Sequence, residues 1–199
     1  ALTPDYVVET ASPAALKAIA EPVLNHGANL VVLSIGAFAD ADFYERIKQT
    51  ALRNATRVHL ASGAIGGFDV LRTAALMSSI EASISTQKGP ASLKGTPVFN
   101  ERLMSDGEPT EVFAGSAKDA IALFPTKVNV AVACALATAG AERTGVRVPS
   151  VPGLKGDDHR IEVAGDEVRV LVDIYSKTSA IAGWSVVALL RNLVAPIVF

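Results

Sequence analysis

The chain has 199 residues, enough for one large domain or two small ones. Half of the residues are hydrophobic and only 6% are aromatic, a profile typical of an α/β protein whose strands are covered on both faces. The 18 basic and 20 acidic residues give a net charge of −2 and form neither a basic stripe nor a polybasic run, so we expect neither nucleic acid nor a membrane as a partner.

The first 61 residues follow the order strand, helix, strand, helix, strand, which predicts a parallel sheet with right-handed crossovers. Ser12 and Pro13 give the first helix an N-cap and a first-turn proline, and Gly27 is a suitable residue to end it. Pro22 predicts a kink or break inside that helix. The predicted strands span residues 6–11, 29–34 and 57–61, and the predicted helices span about 13–26 and 42–55.

The segment from Ser62 to Gly67 joins the third strand to a helix that we predict from about Val70 to Met77. Its three glycines let a backbone approach a neighbour closely. Their spacing matches neither G-x-G-x-x-G nor G-x-x-x-x-G-K-[ST], so the segment is not predicted to bind phosphate. Because ligand clefts lie beyond the carboxyl ends of parallel strands and at domain junctions, we expect a cleft here.

The sequence after Gly67 changes in character and predicts a mixed α+β domain, from about residue 64 to 176. Its strands alternate polar and apolar residues, and residues 88–109 form a predicted extended loop. Ser116 and Asp119 predict a capping box. The predicted strands span residues 79–86, 111–114, 146–148, 159–163 and 168–173, and the predicted helices span 116–124 and 129–139, with a final helix after Thr178 or Ser179.

Cys134 is the only cysteine and lies in an apolar run, which favours a packing role over a catalytic thiol. Since no intrachain disulfide can form and residues 1–5 carry no signal-like pattern, we expect a cytoplasmic protein. The apolar residues 181–199 are interrupted by Arg191 and Pro196, which predicts a buried helix and not a membrane span.

Among the three histidines, His159 is the candidate for acid–base chemistry. It follows a polar turn and opens a strand, where its side chain can reach a cleft and titrate near neutral pH. His26 at a helix end and His59 inside a strand are interpreted as structural. Asp157 and Asp158 are adjacent to His159 in sequence, so the three side chains cannot easily converge on one ion, and no metal site is predicted.

Two predicted helix starts leave two interpretations open. Lys177, Thr178 and Ser179 place a cation and free backbone N–H groups together, which suits either an anion site or an ordinary N-cap. Asn129 likewise fits either an N-cap or a ligand contact.

Seven short stretches, in family order and over essentially the whole chain, together resemble the aspartate dehydrogenase family. Each is weakly specific alone, and the series is specific. The stretches are Asp5–Ser12, Leu33–Ala37, Ser62–Asp69, Val112–Ala117, Leu123–Ala131, His159–Val163 and Ser176–Ser179.

The resemblance implies an enzyme that uses NAD or NADP to oxidise L-aspartate to iminoaspartate, which can feed NAD biosynthesis or hydrolyse to oxaloacetate and ammonia. By resemblance, Ala64 and Asn129 match positions that contact the cofactor, and Gly63 is included with them as a cofactor-binding residue. His159 matches the active-site histidine. A homodimer is also expected from the family.

The resemblance further implies that residues 1–63 are the C-terminal part of a dinucleotide-binding Rossmann domain, residues 64–176 a catalytic and dimerisation domain, and residues 177–199 a helix that packs on the Rossmann part. The family's opening strand, G-x-G-x-x-G turn and ribose-binding acid are not in this sequence, so about 60 residues, or two βα units, are expected to be missing.

A second departure concerns substrate contacts. The family shows Asn-Pro before Lys-Thr-Ser, whereas Ile174, Tyr175 and Ser176 stand here. Two alternatives follow from the departures: a non-catalytic relative that binds a small acidic metabolite, or a dehydrogenase for another amino acid.

Overall fold

The computed structural model describes residues 3–124 and 128–199. The chain divides into two compact units: unit 1 comprises Ala1–Gly63 and Ala182–Phe199, and unit 2 comprises Ala64–Ile181. One unit holds a three-stranded sheet and the other a five-stranded sheet, which confirms the predicted α/β fold class. Over the described residues, no helix is both long and apolar enough to cross a membrane.

Unit 1 is a parallel sheet in the order β1-β2-β3, with every strand paired to the next along the chain. On one face, Leu189 and Leu190 of the last helix pack against a buried cluster that contains Val31 and Ala61. The strands are β1 (Tyr6–Glu9), β2 (Asn29–Val32) and β3 (Val58–Leu60), and the helices are α1 (Pro13–Asn25), α2 (Ala41–Arg53) and α6 (Ala180–Leu193), with a short 3-10 helix at Ile35–Ala39.

The first helix excludes a break at Pro22, one of the two outcomes predicted for that proline. It begins at the predicted cap, where Ser12 Oγ accepts a hydrogen bond from the Ala15 amide, and it ends before Gly27, whose φ is +81°. Pro22 does not break it, because the helix continues from Pro13 to Asn25. The proline therefore costs this helix one backbone donor in its last turns without ending it.

Unit 2 is a mixed sheet in the order β5-β6-β4-β7-β8, in which β4 runs parallel to β6 and antiparallel to β7. Alternate residues of these strands are buried, as the polar–apolar pattern predicts. The strands are β4 (Ile80–Lys88), β5 (Thr110–Ser116), β6 (Thr144–Ser150), β7 (Asp157–Gly165) and β8 (Arg169–Ser176), and the helices are α3 (Phe68–Met77), α4 (Ala117–Leu123) and α5 (Asn129–Ala137).

The capping box at α4 is present: Ser116 and Asp119 exchange side-chain and backbone hydrogen bonds. The predicted end of this helix at Phe124–Pro125 lies partly outside the described residues, since Pro125 is not among them. The predicted extended loop 88–109 holds two short 3-10 helices, Pro90–Leu93 and Glu101–Met104. Each ends near a buried leucine. The Gly- and Pro-rich sequence around these leucines is typical of a loop and does not predict the short helices.

The glycine-rich segment 62–67 shows what its backbone approaches closely. Gly67 precedes α3 with φ +70°, and a Cβ there would lie 2.8 Å from Cγ2 of Val172 on β8. A side chain at this position would therefore meet both backbone strain and a steric clash. This close packing of α3 against the sheet accounts for one of the three glycines.

Candidate active site

Four polar side chains of unit 2 lie at one end of the central strand pair. In the register of β4 and β7, Thr86 is opposite His159 and Lys88 is opposite Asp157. Paired residues in a sheet project from the same face, and so do residues two apart along a strand. The four side chains therefore form one patch, which we call the strand-end patch, on the face that α3, α4 and α5 cover.

His159 is buried in this patch, with only 3% of its surface exposed. Its Nδ1 lies 3.1 Å from the hydroxyl of Thr86, while its Nε2 has no hydrogen-bond partner among the described residues. Burial, and then the positive charge of Lys88, lower the pKa of His159 from an ordinary 6.5 to about 4, against a smaller opposing effect of Asp157. The imidazole is therefore neutral at neutral pH and can accept a proton.

This lowered pKa predicts a loss of stability in mild acid. The unfolded chain binds a proton on His159 near pH 6.5 and the folded protein only near pH 4, so the free energy of unfolding falls as the pH drops through this window. The expected loss from this residue is about 3 kcal/mol. Urea unfolding of the wild type and of His159→Gln at a series of pH values measures it. A wild-type-minus-variant difference that stays constant from pH 6.5 to pH 4 would contradict the assignment.

Lys88 and Asp157 form an ion pair with 2.7 Å between Nζ and Oδ1. The Lys88 side chain is 21% exposed, whereas every other ion-paired side chain in the described part is at least 39% exposed. Sequence reasoning missed Thr86 and Lys88, because it placed the first in an ordinary half-exposed strand and the second at the start of a loop. Only the pairing of β4 with β7 brings them to His159.

Asn129 begins the helix α5, and other residues of that helix lie beside the strand-end patch. It is the exposed first residue of α5, and Val128 before it occupies the cap position, so Asn129 is not the N-cap. A cavity of about 40 Å³ is lined by Thr86 and Lys88 on the sheet side and by Val128 and Ala131 on the helix side. Such a volume holds water and no larger ligand.

The exposed residues Lys177, Thr178 and Ser179 follow the end of β8. Ser176, just before them, is opposite Asp157 in the register of β7 and β8. The predicted anion site therefore adjoins the strand-end patch. The hydroxyl of Thr178 also accepts a long hydrogen bond, 3.3 Å, from the amide of Ala180 at the start of α6.

In unit 1, the carboxyl ends of β1 and β2 are tied together by a buried carboxylate. Glu9 is 3% exposed and accepts hydrogen bonds from the amides of Ala11, Ser12 and Ser34 and from the Ser34 hydroxyl. This residue, which the sequence analysis did not single out, fixes two of the three loops at the edge where Rossmann sheets bind a dinucleotide.

The loop segments 10–12, 33–36 and 61–63 at this edge carry no charged side chain and consist mainly of small residues, a composition that suits the nicotinamide end of a dinucleotide. Gly63 has φ +65°, and its amide donates to Ser185 Oγ at 2.9 Å, so that donor is used within unit 1. Ala64, the first residue of unit 2, is half-buried in the turn that follows β3. No G-x-G-x-x-G turn for a pyrophosphate occurs in this sequence.

The other candidates are inert or structural. Cys134 is fully buried, and burial raises the pKa of its thiol to about 12. His59 is half-buried beside the ring of Tyr6, and burial, followed by the charge of Arg57, lowers its pKa. In residues 3–124 and 128–199, no group of three or more His, Cys, Asp or Glu side chains is placed to hold a metal ion.

Comparison with known families defines the class of protein first. Residues 1–61 match the family described as "Homoserine dehydrogenase, NAD binding domain". An archaeal homoserine dehydrogenase in complex with NADPH has a related fold, with a TM-score of 0.56 at 10% identity. Together with the parallel sheet of unit 1, the family match defines residues 1–61 as part of an NAD-binding Rossmann-type domain.

The rest of the chain defines the family. Residues 69–193 match the family described as "Aspartate dehydrogenase, C-terminal". An L-aspartate dehydrogenase of Methanocella arvoryzae is 36% identical over 97% of this chain and 75% of its own length. One from Acinetobacter baumannii is 35% identical over 98% and 77%. The crystal structure of aspartate dehydrogenase from Thermotoga maritima superposes with a TM-score of 0.83 at 32% identity, over 98% of this chain and 78% of that one. The chain belongs to the aspartate dehydrogenase family.

Proposed function

We propose that the protein oxidises L-aspartate to iminoaspartate with NAD or NADP, and that His159 is the proton acceptor. The observation that carries the proposal is the buried, neutral imidazole whose Nε2 has no partner in the described part of the chain. Membership of the aspartate dehydrogenase family supports the choice of substrate.

In the proposed reaction His159 Nε2 takes a proton from the α-ammonium group of the substrate, which frees the nitrogen lone pair to form the C=N bond. A nicotinamide cofactor held by Gly63, Ala64 and Asn129 would supply the acceptor for the hydride that leaves Cα. The products are iminoaspartate with a protonated imine nitrogen, the reduced cofactor and a proton, and the iminoaspartate hydrolyses to oxaloacetate and ammonium.

Thr86 is proposed to select the active tautomer of His159. When Nδ1–H donates to the Thr86 hydroxyl, the lone pair lies on Nε2, which is the nitrogen without a partner among the described residues. Lys177, Thr178 and Ser179 are proposed to donate hydrogen bonds to a carboxylate of the substrate. Gly63, Ala64 and Asn129 are proposed to contact the nicotinamide end of the cofactor.

Different parts of the chain are proposed to bind the cofactor and to carry out catalysis. We propose that residues 1–63 supply the dinucleotide-binding part, residues 64–176 the catalytic part, and residues 177–199 a helix that completes the first. Unit 2 contains the whole strand-end patch, whereas unit 1 contains the parallel sheet and the residues that match an NAD-binding family.

We also propose a cytoplasmic homodimer without nucleic-acid or membrane partners. The uncovered face of the five-stranded sheet supports self-association, because exposed Arg160 is flanked there by Glu162 and Asp173. A two-fold axis can pair such a mixed-sign row with its own copy. Sedimentation of the full-length protein tests this: the wild type is expected to be a dimer and Arg160→Glu a monomer, and a monomeric wild type would refute it.

Steady-state kinetics of the full-length protein test the function. Reduction of NAD and NADP is followed with L-aspartate, L-glutamate, L-asparagine and L-alanine. The highest kcat/KM is expected with L-aspartate. Faster turnover of another amino acid supports the alternative substrate that the Ile174–Ser176 departure suggests, and no turnover of any of the four overturns the proposal.

A further inference from the structure

Two buried side-chain atoms in the described residues have no hydrogen-bond partner: Nε2 of His159 and Oγ of Ser150. Ser150 is only 2% exposed, so its hydroxyl is shielded from bulk water. Leaving a buried polar atom unpaired is costly, and such an atom at a candidate site requires a partner such as a ligand or an ordered water. His159 has a proposed role, whereas nothing so far accounts for Ser150.

The sheet register places Ser150 beside the strand-end patch. Lys88 on the central strand β4 is opposite Ser150 on β6 and opposite Asp157 on β7. Paired side chains share a face, so the three form a row across three strands in the order hydroxyl, ammonium, carboxylate. The row therefore offers one unpaired hydroxyl next to one partly buried cation.

Lys88 keeps donors available in this row. An ammonium group has three N–H donors, and within the described residues Lys88 Nζ makes a single hydrogen bond, to Asp157 Oδ1 at 2.7 Å. That bond holds the side chain in place and leaves two donors for a ligand. A carboxylate has two oxygens, so it can accept from Lys88 and Ser150 at once.

We propose that Lys88 and Ser150 bind the side-chain carboxylate of a dicarboxylic amino acid, with Asp157 as the residue that orients Lys88. This inference rests on the proposed function. It selects the side-chain carboxylate because the row lies two residues, or about 7 Å, along the strands from His159. The α-carboxylate shares a carbon with the amino group and stays close to the base, whereas the second carboxylate reaches further.

The cavity beside Thr86 and Lys88 has a volume of about 40 Å³, so it must widen when the substrate enters. Asp157 keeps Lys88 paired in the meantime, which avoids the cost of an isolated charge in a partly buried position. The ion pair therefore neutralises Lys88 in the free protein and orients Lys88 toward the carboxylate in the complex.

The test compares Lys88→Met and Ser150→Ala with the wild-type full-length protein. For L-aspartate, kcat/KM is expected to fall about 10- to 150-fold in Lys88→Met and about 2- to 10-fold in Ser150→Ala, mainly through KM. For L-alanine, which lacks the side-chain carboxylate, kcat/KM is expected to fall much less than for L-aspartate, because only the effect of the Lys88 charge on His159 is lost. The matched control is Lys118→Met, which removes a similar ion pair, with Glu142, at an exposed position.

A binding measurement separates this inference from the reaction itself. Succinate carries two carboxylates and no amino group, and calorimetry measures its affinity without turnover. The Kd of succinate is expected to rise in Lys88→Met and to remain near the wild-type value in Lys88→Arg. Retained binding in Lys88→Arg would show that the rise in Lys88→Met comes from the lost charge and not from a loss of folding. Equal losses for L-aspartate and L-alanine, or unchanged succinate affinity, overturn the carboxylate site. Absence of turnover in the wild type with succinate binding that depends on Lys88 overturns only the proposed reaction.

Discussion

Replacing His159 by asparagine is expected to lower kcat for L-aspartate about 10²- to 10⁴-fold, the usual contribution of a general acid or base. Asparagine keeps a polar side chain that can face Thr86, but it cannot accept a proton from the substrate. Because His159 acts on the amino group and not on a carboxylate, KM is expected to change much less than kcat. Steady-state kinetics and circular dichroism on the same preparation measure both the catalytic loss and the integrity of the fold.

His26→Asn is the matched control, since His26 is an exposed histidine at the end of α1 whose Nδ1 hydrogen-bonds to the Pro22 carbonyl oxygen of the same helix. This variant is expected to keep wild-type kinetics. A kcat of His159→Asn within about threefold of the wild type, with the fold intact, would remove His159 from the mechanism.

Replacing Gly156 by alanine is expected to destabilise the protein by about 3 kcal/mol or more. Gly156 has φ +91°, and a Cβ there would lie 2.0 Å from the carbonyl oxygen of Ser176 and 2.8 Å from Cα of Lys177. Since the obstacle is backbone, it cannot rotate away. The clash would push the end of β8 from the start of β7, where Asp157 pairs with Ser176, so KM for L-aspartate is also expected to rise.

Gly153→Ala separates the two causes. Gly153 has a similar φ of +75°, but a Cβ there would meet nothing within 4 Å. This control carries only the backbone penalty, about 1–2 kcal/mol. Urea unfolding of both variants measures the difference, and equal losses of stability would contradict the close approach between Gly156 and β8.

The fold class and most element positions could be predicted because the signals are local. The Ser12 cap, the Ser116–Asp119 capping box and the alternation along β7 each depend on residues within one turn or strand. Two features were not predictable on local grounds. Pro22 stays inside α1, and buried Leu93 and Leu103 anchor short helices within a segment whose composition is that of a loop.

The residues of the candidate site also differ in whether local sequence could identify them. His159 could be singled out from its position at the mouth of a strand, and its role was implied by the resemblance. Thr86, Lys88 and Ser150 could not, because they become neighbours only through the order β6-β4-β7. The polar–apolar pattern of a strand does not indicate which strands it pairs with, so the parallel pairing of β4 with β6 and its antiparallel pairing with β7 could not be predicted. Glu9 was not singled out for a related reason: besides the nearby amides of Ala11 and Ser12, it binds Ser34, which lies in the loop after the next strand.

The most direct test of the central claim follows an isotope from substrate to cofactor. L-aspartate labelled with deuterium at Cα is incubated with the full-length protein and NAD or NADP, and the reduced nicotinamide is analysed by mass spectrometry and NMR. The account predicts one deuterium per reduced nicotinamide, and none when His159→Asn fails to turn over. Reduced cofactor that carries no deuterium, or no cofactor reduction by the wild type, would contradict it.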